Sequence, residues 1–127
     1  RGLLQGIAYA TRSNIEAMRD LGATVTRVVA VGGGTADPHL LGLVSDACGL
    51  DQLVPAATIG AARGDAFLAG RVAGLLAPAD LVDWVVSAET IRARPAARAE
   101  HDRRYELFRR LYGETASTVH ELPGRPR

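Results

Sequence analysis

Hydrophobic and polar residues alternate with two different periods in the first half of the chain. Residues 24–31 are rich in Val and Thr and end in the apolar run VVAV, which predicts a strand buried on both faces, as in an α/β sheet. Before it, Gly22 suits the left-handed end of a helix. The preceding residues keep their apolar or small side chains on one helical face, at Leu4, Ile7, Ala8, Thr11, Ile15 and Met18.

Two further helices and a short strand follow. Asp37 and Pro38 predict the start of the second helix, because Asp is a good N-cap and Pro fits the first helical position. Residues 53–55 predict a short edge strand, since Pro55 cannot donate a ladder hydrogen bond. Residues 58–76 predict a third helix whose many small residues favour close packing between helix and sheet. The buried stripe of the second helix would comprise Leu40, Leu41, Val44 and Ala47.

The C-terminal part predicts a loop that contains Trp84 and then an Arg-rich amphipathic helix over residues 96–112. From Gly113 onward the periodicity is lost, so we expect a domain at residues 1–113 and a loose tail at 114–127. With one clear strand, the order of elements predicts an α/β lobe whose other strands lie elsewhere. Because the chain starts within a helical pattern that has no capping residue, we expect it to be the C-terminal part of a longer protein. The apolar side of the last helix would be carried by Tyr105, Phe108, Leu111 and Tyr112.

Composition narrows the class of protein. The 127 residues are 47% hydrophobic and 23% charged, as expected for one globular domain. A net charge of +1 gives no reason to expect nucleic acid as a partner. The longest apolar region, residues 66–82, contains Arg71 and Asp80, so no membrane partner is expected. Cys48 is the only cysteine, which excludes an intrachain disulfide and fits a cytoplasmic protein.

The candidate chemistry centres on Gly32, Gly33 and Gly34, between the predicted strand and the second helix. Unhindered amides beside a helix N-terminus suit a phosphate or a ribose. The loop lacks the Gly-Lys-Ser/Thr of a Walker loop, and Asp37 stands where a dinucleotide fingerprint has its third glycine. A tight turn is the alternative, and the spacing leaves both open. Asp37 is an N-cap that could also accept a hydrogen bond from a ribose hydroxyl or an adenine amine, provided one carboxylate oxygen is free.

Other reactive residue types are scattered. Ser45, Asp46 and Thr58 have no histidine nearby in sequence, so no nucleophile–base pair is predicted. Cys48 is expected in the core. The acids interleaved with the arginines of the last helix favour a solvated face. No metal-ligand spacing exists among the three histidines, which we expect to face solvent: His39, His101 and His120.

Several segments resemble the C-terminal lobe of the FGGY carbohydrate kinases, on the xylulokinase-like side. They are RGLLQGIAYATRSNIEAM, VTRVVAVGGGTADPHLLGLVSDACGL, TIGAARGDAFLAG and the closing ETIRARP and HDRRYELFRRLY, in order over roughly nine tenths of the chain. The resemblance implies an α/β fold, namely a partial actin-like ATPase (ribonuclease H-like) C-terminal lobe, helix-rich with few strands. It also implies transfer of the ATP γ-phosphate to a sugar or polyol hydroxyl with magnesium.

By position, the resemblance places Gly33 and Asp37 where the family contacts the nucleotide, with Gly32 and Gly34 as neighbours. Asp37 departs from the family's frequent Asn, since it keeps the acceptor but adds charge. The catalytic base, the magnesium ligands and the sugar site belong to an N-terminal lobe that this chain lacks, so we expect no catalytic or metal residue here and no activity of the chain alone. The implied partners are ATP or ADP, and an exposed cut face would favour a homo-oligomer. The alternative is a stand-alone, non-catalytic nucleotide-binding or interaction module derived from that lobe.

Overall fold

The computed structural model describes residues 2–56, 60–81 and 87–121. Short 3₁₀ helices occur at Gly33–Ala36, Pro78–Asp80 and Pro95–Ala97. Thr58 and Trp84, which the sequence assigned to a helix and a loop, lie outside the described residues. The longer elements, in chain order, are α1 (Gly2–Asp20), β1 (Val28–Val29), α2 (Pro38–Cys48), β2 (Gln52–Pro55), α3 (Gly60–Val72), β3 (Ser87–Ile91) and α4 (Arg98–Glu121).

The end of α1 and the start of α2 lie where the sequence predicts them. Gly22 adopts φ +91°, and the N–H of Ala23 donates to the carbonyl of Met18 at 3.0 Å, which closes the end of α1. Asp37 caps α2, since its Oδ1 accepts a hydrogen bond from the N–H of His39 at 2.9 Å. Local sequence signals therefore define both of these boundaries.

The sheet has three strands in the order β1-β2-β3, with β1 parallel to β2 and β3 antiparallel to β2. The prediction of an edge strand at residues 53–55 is wrong, because β2 is the central strand. Pro55 is tolerated there because it lies at the end of β2, where the register with β3 shifts. The strand β3 was not predicted, since its residues SAETI carry little apolar signal.

The strand β1 is shorter and more exposed than predicted. Only Val28 and Val29 pair with β2, and Val28 packs against the helical core. The prediction of burial on both faces is wrong: Val29 is 44% exposed and Val31 is 54% exposed. Successive side chains of a strand point to opposite faces, and among the described residues no element buries the face of Val29.

A helical core forms where α1, α2 and α4 meet. The rings of Tyr9, Tyr105 and Phe108 lie together, with centroids 5.8–6.3 Å apart. Leu111 and Tyr112 were predicted on the apolar side of α4 but are 60% and 58% exposed. Among the described residues, Phe108 is the last residue of α4 that packs against this core, so Leu111 and Tyr112 lie beyond the packed part of the helix. The buried members of this helical core are Ala8, Tyr9, Ile15, Val44, Ala47, Cys48 and Tyr105.

Two further predictions for the second half of the chain are wrong. The small residues of α3, such as Ala61 and Ala69, are exposed, because within the described residues the helix buries one large side chain, Phe67. The loose tail predicted after Gly113 is helical as far as Glu121, since a helix already formed propagates through residues that could not start one. Residues 122–127 lie outside the described part of the chain.

Among the described residues, no helix has the length and apolar character needed to cross a membrane.

Candidate functional site

The glycine loop, residues 32–37, connects the sheet to the N-terminus of α2. Gly32 adopts φ +86° and ψ −170°, a conformation that essentially only glycine tolerates. The N–H of Thr35 donates to the carbonyl of Gly32 at 3.1 Å, and the Thr35 hydroxyl donates to the same oxygen at 2.7 Å. Gly32, Gly33 and Gly34 are all exposed. The structure thus brings the four predicted site residues, these three and Asp37, onto one turn.

The carboxylate of Asp37 has one oxygen in use. Its Oδ1 accepts hydrogen bonds from the backbone N–H groups of His39 at 2.9 Å and Leu40 at 3.3 Å. Within the described part of the chain, no donor contacts Oδ2. The N-cap role therefore leaves one carboxylate oxygen available to a ligand. A free oxygen is the condition under which Asp37 could both cap α2 and accept a hydrogen bond from a ribose or an adenine.

The three glycines differ in whether the fold requires a glycine at their position. Gly32 needs glycine for its backbone conformation. Gly33 has no positive φ, and a Cβ built on it meets no atom within 4 Å. A Cβ on Gly34 would make an ordinary contact with the Leu40 side chain at 3.7 Å. The protein's own packing thus does not require glycine at position 33.

Buried polar side chains fix α2 against the sheet. The Gln52 amide, 3% exposed, donates to the carbonyl of Leu41 at 2.6 Å and to the Ser45 hydroxyl at 2.8 Å. The Ser45 hydroxyl in turn donates to the carbonyl of Ile91 on β3 at 3.1 Å. These hydrogen bonds give Ser45 a structural role. Sequence reasoning missed Gln52, although it shares the inward face of β2 with Val54, where a polar residue signals a buried hydrogen bond.

The C-terminal half of α2 carries a second buried polar group. Asp46 is 1% exposed and accepts hydrogen bonds from the backbone N–H of Arg94 at 2.8 Å and from its Nε at 2.9 Å. Burial opposes ionisation of Asp46, but these hydrogen bonds outweigh it and lower the pKa of the carboxyl. Asp46 is therefore ionised, and its carboxylate is engaged by Arg94. This pairing holds the segment after β3 against α2.

A partly buried ion network joins α1 to α4. Arg12 donates to Glu16 at 2.9 Å and to Asp102 at 2.6 Å, and its guanidinium lies 4.1 Å from the centroid of the Tyr105 ring. Burial disfavours the charged form of Glu16, yet hydrogen bonds from Arg12 and Tyr105 lower its pKa. These acids are committed to the packing of the helices.

The remaining reactive groups divide between surface and core. His39 and His120 are exposed, as predicted. The prediction for His101 is wrong: it is 7% exposed, and its Nδ1 lies 3.2 Å from the Tyr9 hydroxyl. The helical period places His101 four residues before Tyr105, on the buried face of α4, and burial lowers its pKa. Cys48 is in the core, as predicted, where burial raises the pKa of its thiol to about 11.

In residues 2–56, 60–81 and 87–121, no three His, Cys, Asp or Glu side chains come together as a metal site. A single carboxylate, Asp37, lies on the glycine loop, and its Oδ1 caps α2. The described residues therefore do not fit a magnesium site.

Comparison with known proteins identifies the class to which this lobe belongs. The model of the FGGY family of carbohydrate kinases, C-terminal domain, matches residues 1–73, which include α1, the sheet strands β1 and β2 and the whole glycine loop. The chain therefore belongs to the FGGY family of carbohydrate kinases, as the sequence resemblance implied.

Individual relatives agree with this assignment. A glycerol kinase of Stenotrophomonas maltophilia (strain R551-3) is 35% identical over 107 residues, which is 84% of this chain and 19% of that protein. A glycerol kinase of Shewanella frigidimarina is 32% identical over 90 residues, 70% of this chain and 18% of that protein. The chain thus spans about a fifth of the length of these curated relatives.

A solved structure gives the fold. The crystal structure of xylulose kinase from Rhodospirillum rubrum superposes with a TM-score of 0.79 and 29% sequence identity, over 95% of this chain and 25% of that one. The chain accordingly has the α/β fold of a partial actin-like ATPase C-terminal lobe, helix-rich with three strands, as expected.

Proposed function

We propose that this chain is the nucleotide-side part of an ATP-dependent carbohydrate kinase, and that its glycine loop receives the adenosine of ATP. The reaction would transfer the γ-phosphate of ATP to a hydroxyl of a sugar or polyol, of the ribulose or xylulose type, in the cytoplasm. Support comes from the family of the chain and from its similarity to a glycerol kinase and a xylulose kinase.

The observation that carries the proposal is the unexplained glycine at position 33. Its φ is not positive and no protein atom lies within 4 Å of a Cβ built there, so folding does not demand glycine. A ligand lying on the backbone would demand it, because any side chain would occupy the same space. Gly33 is exposed and lies on the turn that leads to Asp37, the N-cap of α2.

Asp37 supplies a second contact in this proposal. Its Oδ2, which no described donor contacts, would accept a hydrogen bond from a ribose hydroxyl or from the adenine amine. Its Oδ1 is held by the N–H groups of His39 and Leu40, so the carboxylate is fixed before the ligand arrives. A fixed acceptor loses little conformational freedom on binding.

Catalysis needs more than this loop provides. Phosphoryl transfer depends on positioned phosphates, bound magnesium and a residue that accepts the proton of the attacking hydroxyl. In the described residues the buried acids are engaged, Asp46 by Arg94 and Glu16 by Arg12. We therefore propose that the base, the magnesium ligands and the sugar site lie outside this chain and that the chain alone is inactive.

The test is Gly33→Val in the full-length protein that contains these residues. We expect the dissociation constant of ADP, measured by isothermal titration calorimetry, to rise at least about tenfold, a loss of ~1.4 kcal/mol. The affinity for the sugar should stay unchanged, because the added side chain lies in the proposed nucleotide site only.

Gly113→Val is the matched control. Gly113 is also exposed, and a Cβ there also meets no atom within 4 Å. This variant should bind ADP like the parent. Equal ADP affinity in Gly33→Val and the parent protein would remove the proposed role of the loop.

A further inference from the structure

We propose that Thr35 is a positioning residue that aims the N–H of Gly33 toward the bound nucleotide. The inference rests on the proposed function of the glycine loop. It concerns a residue whose hydroxyl donates its hydrogen bond within the loop.

Two hydrogen bonds from one residue converge on a single acceptor. The Thr35 hydroxyl donates to the carbonyl oxygen of Gly32 at 2.7 Å, and the Thr35 backbone N–H donates to the same oxygen at 3.1 Å. Both distances are within the normal range for hydrogen bonds. The backbone bond alone would close the turn, so the hydroxyl is an additional restraint on this one carbonyl.

The carbonyl of Gly32 needs such a restraint. Gly32 lies at φ +86° and ψ −170°, where glycine has no side chain to limit rotation of the peptide that follows. Without a Cβ on Gly33 either, the peptide between the two residues is among the least hindered in the loop. Its orientation is therefore set by hydrogen bonds.

Fixing the carbonyl of Gly32 also fixes the N–H of Gly33. The two groups belong to one planar peptide unit, and no described peptide bond is cis. In a trans peptide they point in opposite directions, so the N–H of Gly33 points away from Thr35. Gly33 is exposed, and the N–H is thereby available to a ligand on the outer side of the loop.

The experiment compares Thr35→Val with Thr35→Ser in the full-length protein. Valine keeps the shape of threonine without the hydroxyl, whereas serine keeps the hydroxyl. We expect Thr35→Val to raise the dissociation constant of ADP and the KM for ATP by about three- to tenfold, the usual effect of one lost hydrogen bond. The KM for the sugar should not change, and Thr35→Ser should behave like the parent.

The outcomes separate this inference from the proposed function. If Gly33→Val weakens ADP binding while Thr35→Val and Thr35→Ser both bind like the parent, the loop binds nucleotide and the positioning role is wrong. If Gly33→Val has no effect, the proposed function itself fails. A purely structural role for Thr35 predicts a lower melting temperature with equal ADP affinity, which would also overturn the inference. Should Thr35→Val not fold, Thr35→Ala removes the same hydroxyl and decides in the same way.

Discussion

The helical core and the glycine loop use polar groups in opposite ways. In the core, charged side chains bind one another: Arg12 holds Glu16 and Asp102 across two helices. In the loop, the polar groups belong mainly to the backbone, and one oxygen of Asp37 is left without a described donor. The charged residues of the core thus stabilise the fold, while the proposed binding site consists mainly of exposed main chain.

The helix α2 belongs to both regions. The helix begins at the loop, where Asp37 caps it. Its C-terminal half contributes Val44, Ala47 and Cys48 to the helical core. Gln52 ties it to the sheet between these ends. A rigid helix that is anchored at its far end holds the loop in place without any contact between the core and a ligand.

The largest expected effect is on the core. Tyr105→Ala should lower the free energy of unfolding by about 3–5 kcal/mol, as for other large aromatic residues removed from a core. Tyr105 is 2% exposed, stacks with Phe108, and donates to Glu16 at 2.7 Å. Urea unfolding followed by circular dichroism measures the change.

Tyr112→Ala is the matched control for this prediction. Tyr112 lies on the same helix but is 58% exposed, so we expect a change below about 0.5 kcal/mol. Folded Tyr105→Ala protein should keep the ADP affinity of the parent, since the loop does not touch this side chain. Equal losses in the free energy of unfolding from Tyr105→Ala and Tyr112→Ala would mean that the buried ring does not carry the stability assigned to the core.

The next largest effect is a pH dependence of folding stability that arises from His101 in the core. Burial lowers the pKa of His101 below its ordinary value of 6.5, although Asp46 partly opposes this and Arg104 and Arg94 add to it. The unfolded chain therefore binds a proton at a higher pH than the folded chain does. Stability should be complete above pH 6.5 and should fall as the pH is lowered from there through the folded pKa.

Urea midpoints at about pH 7.5 and about pH 5.5 test this prediction, because one pH lies above and the other below the ordinary pKa of 6.5 at which the loss of stability begins. His101→Gln should show a smaller difference between the two midpoints than the parent. His120→Gln, at the exposed end of α4, should keep the parent's difference. An unchanged difference in His101→Gln would mean that the buried ring does not titrate with folding.

Sequence alone predicted the features that depend on local chemistry. Caps at Gly22 and Asp37 defined helix ends because they act through backbone conformation and nearby N–H groups. The glycine loop was found for the same reason. The predictions that were wrong depend on residues distant in sequence. One must know which elements pack together to predict the central place of β2, the strand β3 or the burial of His101.

The position of the candidate site in the chain was predictable from the sequence, but its geometry was not. The sequence identified the loop and Asp37, and left a turn or a ligand site open. Which glycine the fold itself requires became visible only from φ at Gly32 and the empty space at Gly33. The double hydrogen bond of Thr35 likewise depends on the 3₁₀ turn, which the sequence did not indicate.

The smallest expected effect concerns where the helical region ends. Gly113 lies inside α4, is exposed, and a Cβ there meets no atom within 4 Å. Gly113→Ala should therefore stabilise the chain by about 0.5–1 kcal/mol, the difference in helix propensity between the two residues. Urea unfolding gives the free energy, and Gly22→Ala, at φ +91°, is the control that should instead destabilise. No gain from Gly113→Ala would mean that residues 113–121 contribute no stable helix, and the stable part of α4 would then end near Tyr112, as the sequence first indicated.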